Sequence, residues 1–155
     1  PKLLIYFILL LLLLPNCSRQ KKFEYDNKKR MIKEFAYDQN GKLTGFKKFE
    51  YTTNNKILKE TDYEGDVIKH TIENNELGLK IKESYFDENG ALLTYSVFEY
   101  NEKGWRIKWS IHDKNDIVQE YDILKYDDKG NVTVVYTYNN LDVLKRIIDQ
   151  STVNF

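Results

Sequence analysis

The residues equipped for chemistry are few and scattered. His70 and His112 lie far apart, and neither has Cys, His or carboxylate neighbours at metal-ligand spacing. Each reads as a solvent-facing strand histidine. Asp38 and Asp87 open D-x-N-G stretches of the kind that begin calcium loops. Eleven places on, however, stand Phe49 and Phe98, where an EF-hand needs a bidentate acid. The pair Asp127–Asp128 falls in a turn, where exposure gives no means of perturbing a carboxyl pKa for general-acid work. No P-loop, G-x-S-x-G or dinucleotide fingerprint occurs. The sequence thus names no catalytic residue, no metal and no cofactor, and a non-enzyme is expected. Trp105 and Trp109, two residues to either side of Ile107, would share one face of a strand about 13 Å apart. Such a pair can stack on a sugar ring or anchor a protein partner, and it equally suits two core residues.

The single cysteine, Cys17, follows an unbroken apolar run from Leu3 to Leu14. Twelve helical residues span about 18 Å, against about 30 Å for a hydrocarbon core, which suits a signal peptide better than a membrane span. Pro1 is not a start residue, and the chain is expected to lack its initiator Met. The run ends in "LPNC", which resembles a bacterial lipobox: Leu14 stands at the usual −3 position, and Asn16 before the cysteine resembles the looser spirochaete versions. The resemblance implies cleavage before Cys17 and acylation of its thiol with palmitate-type chains. The same residues would also fit an ordinary cleavage site beside a free cysteine, or an uncleaved anchor. The expected organisation is a signal peptide over 1–16, a lipidated cysteine with a basic tether over 17–22, and one domain over 23–155. At about 0.8 kcal/mol per buried CH₂, two or three acyl chains hold a protein firmly on a bilayer. Arg19, Lys21 and Lys22 would face anionic headgroups or form a plain solvated linker.

The domain is nearly neutral. The chain carries 24 basic and 24 acidic residues, and loss of Lys2 with the signal leaves 23 against 24. That balance argues against nucleic acid, which needs a clustered positive surface. The expected partners are a membrane, through the lipid, and a protein or glycan. The expected location is the bacterial envelope, at the outer membrane or cell surface.

Beyond residue 22 the sequence repeats. "YDQNGKLTGFKKFEY" at 37–51 is echoed by "FDENGALLTYSVFEY" at 86–100, 49 residues later. Related phrases begin at 25, 51, 61, near 74, and at 100, 111, 126 and 138, a mean spacing of 113/9 or about 12.6 residues. Gly41, Gly65, Gly90, Gly104 and Gly130 share one phase and mark structural turns. Asp, Asn and Gly there tolerate positive φ and satisfy their own backbone. Strands joined by such short turns must be antiparallel neighbours, because parallel pairing needs a long crossover. The predicted fold is all-β: an antiparallel meander of about ten strands, forming an open twisted sheet or a partly closed barrel.

Alternation supports the strands. Trp105, Ile107, Trp109 and Ile111 alternate with Arg106, Lys108, Ser110 and His112, and Val132, Val134, Tyr136 and Tyr138 share a face. Residues 141–148 suit a helix face as well, and repeat phase favours a strand. Lys and Glu on both faces of successive strands exclude a lipid-facing pore, although the chain ends in Phe155. The phrase Tyr37–Asp38–Gly41–Leu43, with Phe86–Asp87–Gly90–Leu92 and Tyr126–Asp127–Gly130–Val132, resembles the YD repeats of RHS-type bacterial surface and toxin-casing proteins. The basic residue that follows the glycine there survives as Lys42 and is replaced by Ala91 and Asn131. The resemblance implies a β-repeat scaffold with surface or carbohydrate binding, and does not imply a toxin.

Overall fold

The computed structural model describes residues 21–149. Cys17 and the apolar run before it lie outside them. The described chain forms β1 (Lys21–Tyr25), β2 (Met31–Tyr37), β3 (Leu43–Tyr51), β4 (Ile57–Glu64), β5 (Val67–Asn74), β6 (Lys80–Phe86), β7 (Leu92–Tyr100), β8 (Arg106–Asp113), β9 (Val118–Tyr126), β10 (Val132–Asn139) and β11 (Leu144–Asp149). These are eleven antiparallel strands in one sheet, ordered as in the sequence, with β1 and β11 as its free ends. The sheet is therefore an open meander, and residues 144–149 are strand. β1 takes in Lys21 and Lys22, which pair with Ala36 and Phe35.

The repeat phase is a backbone phase. Positive φ occurs at Lys29, Gly41, Asn55, Gly65, Gly78, Gly90, Gly104, Asp116, Gly130 and Asp142. The steps alternate between 12 and 14 residues, except around Gly65, where a two-residue hairpin shortens the loop. Each of the other nine turns is five residues long and closes in one way. The amide of its first residue donates to the carbonyl of its last, and the left-handed residue donates back to the first. In eight of them the first residue is Asp or Asn, and its Oδ1 accepts from the amides two and four places on; Asp87, for instance, accepts from Asn89 and Ala91 at 2.8 Å each. This side-chain bond is the physical content of the Asp or Asn in the repeat. Thr52 does the same with one bond to Lys56.

No second layer covers the sheet among the described residues, so shielding comes from neighbours on the same face. Phe49, Tyr95, Phe98 and Leu124 are the buried apolar side chains. Phe49 and Phe98 occupy equivalent places in the 49-residue echo. Between rows of long side chains run small polar residues: Thr61, Thr71 and Ser84 stand side by side across β4, β5 and β6 and are only 3–5% exposed. A small residue there lets its long neighbours close over it, and this substitutes for a core.

Candidate functional site

Because the strands alternate in direction, the turns form two long edges. The first edge holds the β1–β2, β3–β4, β5–β6, β7–β8 and β9–β10 turns; the second holds the other five. Along the first edge each turn is tied to the one before it. Tyr51 donates its hydroxyl to the Met31 carbonyl at 2.7 Å, Asn74 Nδ2 to Ile57 at 2.9 Å, Tyr100 to Lys80 at 2.7 Å and Tyr126 to Arg106 at 2.6 Å. Burial, against the opposing pull of nearby cations, holds the Tyr51 and Tyr100 hydroxyls above their usual pKa. The same edge is stitched forwards as well. Arg30 donates to Asn55 Oδ1, and the side chains of Lys56, Leu79 and Trp105 lie against Gly78, Gly104 and Gly130.

Trp105 thus belongs to this edge. It ends the β7–β8 turn, meets the Tyr126 ring at a tilt with centroids 5.3 Å apart, carries the Lys103 ammonium 4.6 Å from its ring and covers Gly130. Trp109 lies within β8, opposite Phe98 of β7 and Asp122 of β9. It lines a shallow groove with Tyr85, Phe98, Arg106, Asp122 and Glu83. The two indoles make no ring contact with each other among the described residues, and their surroundings differ: one is filled by structure, the other opens on a groove. Gly41, Gly65, Gly90, Gly104 and Gly130 all have positive φ, as does Gly78, whose turn is masked in the sequence by "NNELGLK".

The second edge uses carboxylates. Tyr95 donates to Asp116, and Tyr121 donates to Asp142 at 2.8 Å, the two pairs lying 26 residues apart. The bond to Asp116, with burial, pushes the Tyr95 hydroxyl up to about 12; the same bond holds Asp116 below the ordinary carboxylate value. His112 stacks on Tyr95 at 4.7 Å, meets Ser110 at 3.0 Å and lies 3.2 Å from Asp116.

Neither histidine is the solvent-facing residue expected. His70 lies against the Tyr85 ring at a tilt, centroids 4.8 Å apart, with Glu83 2.9 Å from Nε2 and Asp62 3.6 Å from Nδ1. Strand register supplies these partners from β4 and β6, which sequence spacing could not show. Partial burial raises the Glu83 pKa, but hydrogen bonds from Lys80 and His70 outweigh it and the net shift is downward. Lys47 reaches Glu60 at 2.5 Å and Asp62 at 3.3 Å, extending the ionic row on this face. Among the described residues no cluster of His, Cys, Asp or Glu has metal-binding geometry. The Trp109 groove offers a ring face, a guanidinium and two carboxylates.

Neither a family model nor a curated protein matches this sequence. The fold does occur among solved structures. One titled TcdB2-TccC3-TEV matches with a TM-score of 0.57 at 13% identity, over 89% of this chain. A mutant of S. aureus TarM, in complex with fondaparinux, alpha-GlcNAc-glycerol and UDP, aligns over 90% of this chain and 24% of its own at 12% identity, but its TM-score of 0.30 shows no common fold. This protein corresponds to only 7% of the TcdB2-TccC3-TEV chain, and what the two have in common is a strand-and-turn repeat fold.

Proposed function

We propose that the sheet is a non-catalytic interaction and structural module, displayed at the bacterial envelope by a lipid on Cys17. The observation that carries this reading is the pair of interlocked turn edges. Bonds such as Tyr100 to Lys80 tie each hairpin to the last without a second layer, and so leave both faces of a long ribbon exposed for contact. The fold shared with TcdB2-TccC3-TEV supports a β-repeat scaffold, and the lipobox resemblance supports the anchor. Labelling cells with a radioactive fatty acid, combined with surface proteolysis, tests the reading. Label should enter the protein, Cys17→Ser should abolish it, and that variant should move to the aqueous fraction. A Cys17→Ser protein that stays with membranes through a carbonate wash would remove the anchor from the proposal.

A second reading rests on the Trp109 groove: a module for glycans or another small ligand. A ring face beside Arg106, Asp122 and Glu83 combines the stacking surface and polar donors and acceptors that a sugar requires. A glycan panel should shift the tryptophan emission of the native protein and of Trp105→Phe, but not of Trp109→Ala. Emission indifferent to every glycan leaves the structural reading alone.

A further inference from the structure

The Trp109 groove has an echo. A second groove opens on the same face of the sheet, and Glu34, Ala36, Gly45, Lys47 and Asp62 are among the residues that line it. Adding the 49-residue repeat distance to each gives Glu83, Tyr85, Thr94, Ser96 and Ile111, and all five line the Trp109 groove. The duplicated block has therefore made two grooves from the same backbone positions, one across β2, β3 and β4 and the other across β6, β7 and β8. They lie four strands apart, or about 19 Å at 4.8 Å per strand. The floor of the first is bare because Ala36 and Gly45 face each other across β2 and β3. Glu60 stands there in the place of Trp109, so only the second groove carries an indole.

One row of directly opposed residues joins them. Glu34, Lys47, Asp62, His70, Tyr85 and Thr94 are successive partners from β2 to β7. Along this row only His70 stands between the lining of one groove and that of the other. The lysines of both grooves are held by carboxylates: Lys47 by Glu60 and Asp62, Lys69 by Glu64, and Lys80 by Glu83. Arg106 and Asp122 beside Trp109 are opposite in sign. Neither groove therefore favours a charged polymer, and what the row presents is a line of hydroxyl, carboxylate and N–H groups.

We propose that the two grooves are subsites for one ligand, a neutral linear glycan laid across the strands with one of its rings on Trp109. This rests on the glycan reading of the Trp109 groove and extends it from a single sugar to a chain. A peptide is the poorer fit. An extended peptide satisfies its backbone at a sheet edge, and the strands beneath both grooves are already paired on each side. Sugar hydroxyls need only side-chain donors and acceptors, which the row supplies. Joining two weak subsites through one chain makes the second contact intramolecular, so affinity rises with ligand length.

Tryptophan emission of the full-length protein in detergent, titrated with cello- and chito-oligosaccharides, tests this. The hexasaccharide should bind about tenfold more tightly than the disaccharide, or better. Ala36→Leu fills the bare floor of the groove that lacks the indole. It should remove the hexasaccharide's advantage and leave disaccharide binding unchanged, and that retained signal shows the variant to be folded. Equal affinity of the native protein for both lengths overturns the two-subsite proposal while the glycan reading stands. A hexasaccharide advantage that survives Ala36→Leu overturns it in the same way. Emission indifferent to every oligomer of both series removes the glycan reading, and this proposal with it.

Discussion

The two turn edges perform the same geometric task with different acceptors. On the first edge, tyrosines and Asn74 donate to backbone carbonyls, and the three middle turns are capped by Thr52, Asn75 and Asn101. On the second, Tyr95 and Tyr121 donate to the carboxylates of Asp116 and Asp142, and the β6–β7 and β8–β9 turns are capped by Asp87 and Asp113. Carbonyls and amides do not titrate, whereas carboxylates do. One ribbon therefore ties neighbouring turns through neutral acceptors along one side and through the Asp116 and Asp142 carboxylates along the other. The two outer turns of the first edge are themselves capped by Asp26 and Asp127. A repeat protein can vary its chemistry from edge to edge while holding its backbone constant, since each unit contacts only its neighbours.

A graded glycine series breaks the comparison most severely. Gly45, in β3 next to the second edge, has room for no side chain: a Cβ would lie 2.2 Å from the Tyr63 carbonyl oxygen. Gly45→Ala should cost about 3 kcal/mol. At Gly130, on the first edge, φ is +88° and a Cβ would meet Trp105 Cζ2 at 2.8 Å, so Gly130→Ala should cost about 2 kcal/mol and disturb the indole. Gly41→Ala, at φ +78° but with nothing within 4 Å, should cost about 1 kcal/mol. Urea unfolding measures the order, and tryptophan emission should change for Gly130→Ala alone. Equal costs at Gly130 and Gly41 would mean that Trp105 does not bear on its neighbouring turn.

The smaller effect sharpens the contrast. Hydrogen bonds from the amides, above all that of Ala91, hold the Asp87 carboxyl below the ordinary 3.8. A depressed acid contributes stability that is fully present above its unfolded value and is lost as pH falls through the folded one. Asp116 behaves alike through its bond from Tyr95. Amide-exchange protection at Ala91 should thus fall as pH drops below about 3.8, while Leu79 and Trp105, capped by Asn75 and Asn101, keep theirs. Parallel losses at all three amides would erase the distinction between turns capped by Asp and turns capped by Asn.

Much of the fold was legible because the turn chemistry is local. The Asp38 and Asp87 side chains bond to amides two and four residues on, so sequence spacing alone exposes them, and the mean step of about 12.6 residues matches the spacing of positive φ from Lys29 to Asp142. The 12–14 alternation escaped notice because Lys29, Asn55, Asp116 and Asp142 hold positive φ without glycine. A signal existed: Tyr100–Asn101 and Tyr126–Asp127 stand 26 residues apart, as do Tyr95 and Tyr121. The histidine sites were less accessible. Asp62, His70 and Glu83 come from three strands, and only their exact pairing makes them neighbours.

The sequence by itself determined a chain of antiparallel strands, because hairpin bends are written within five consecutive residues and short links permit no other pairing. Only the tertiary structure decided that the sheet stays open, that Trp105 plugs a turn while Trp109 lines a groove, and that the tyrosines of one edge meet backbone carbonyls while those of the other meet carboxylates. Those outcomes depend on contacts between residues twenty or more positions apart, where register and twist, absent from any local pattern, choose the neighbours.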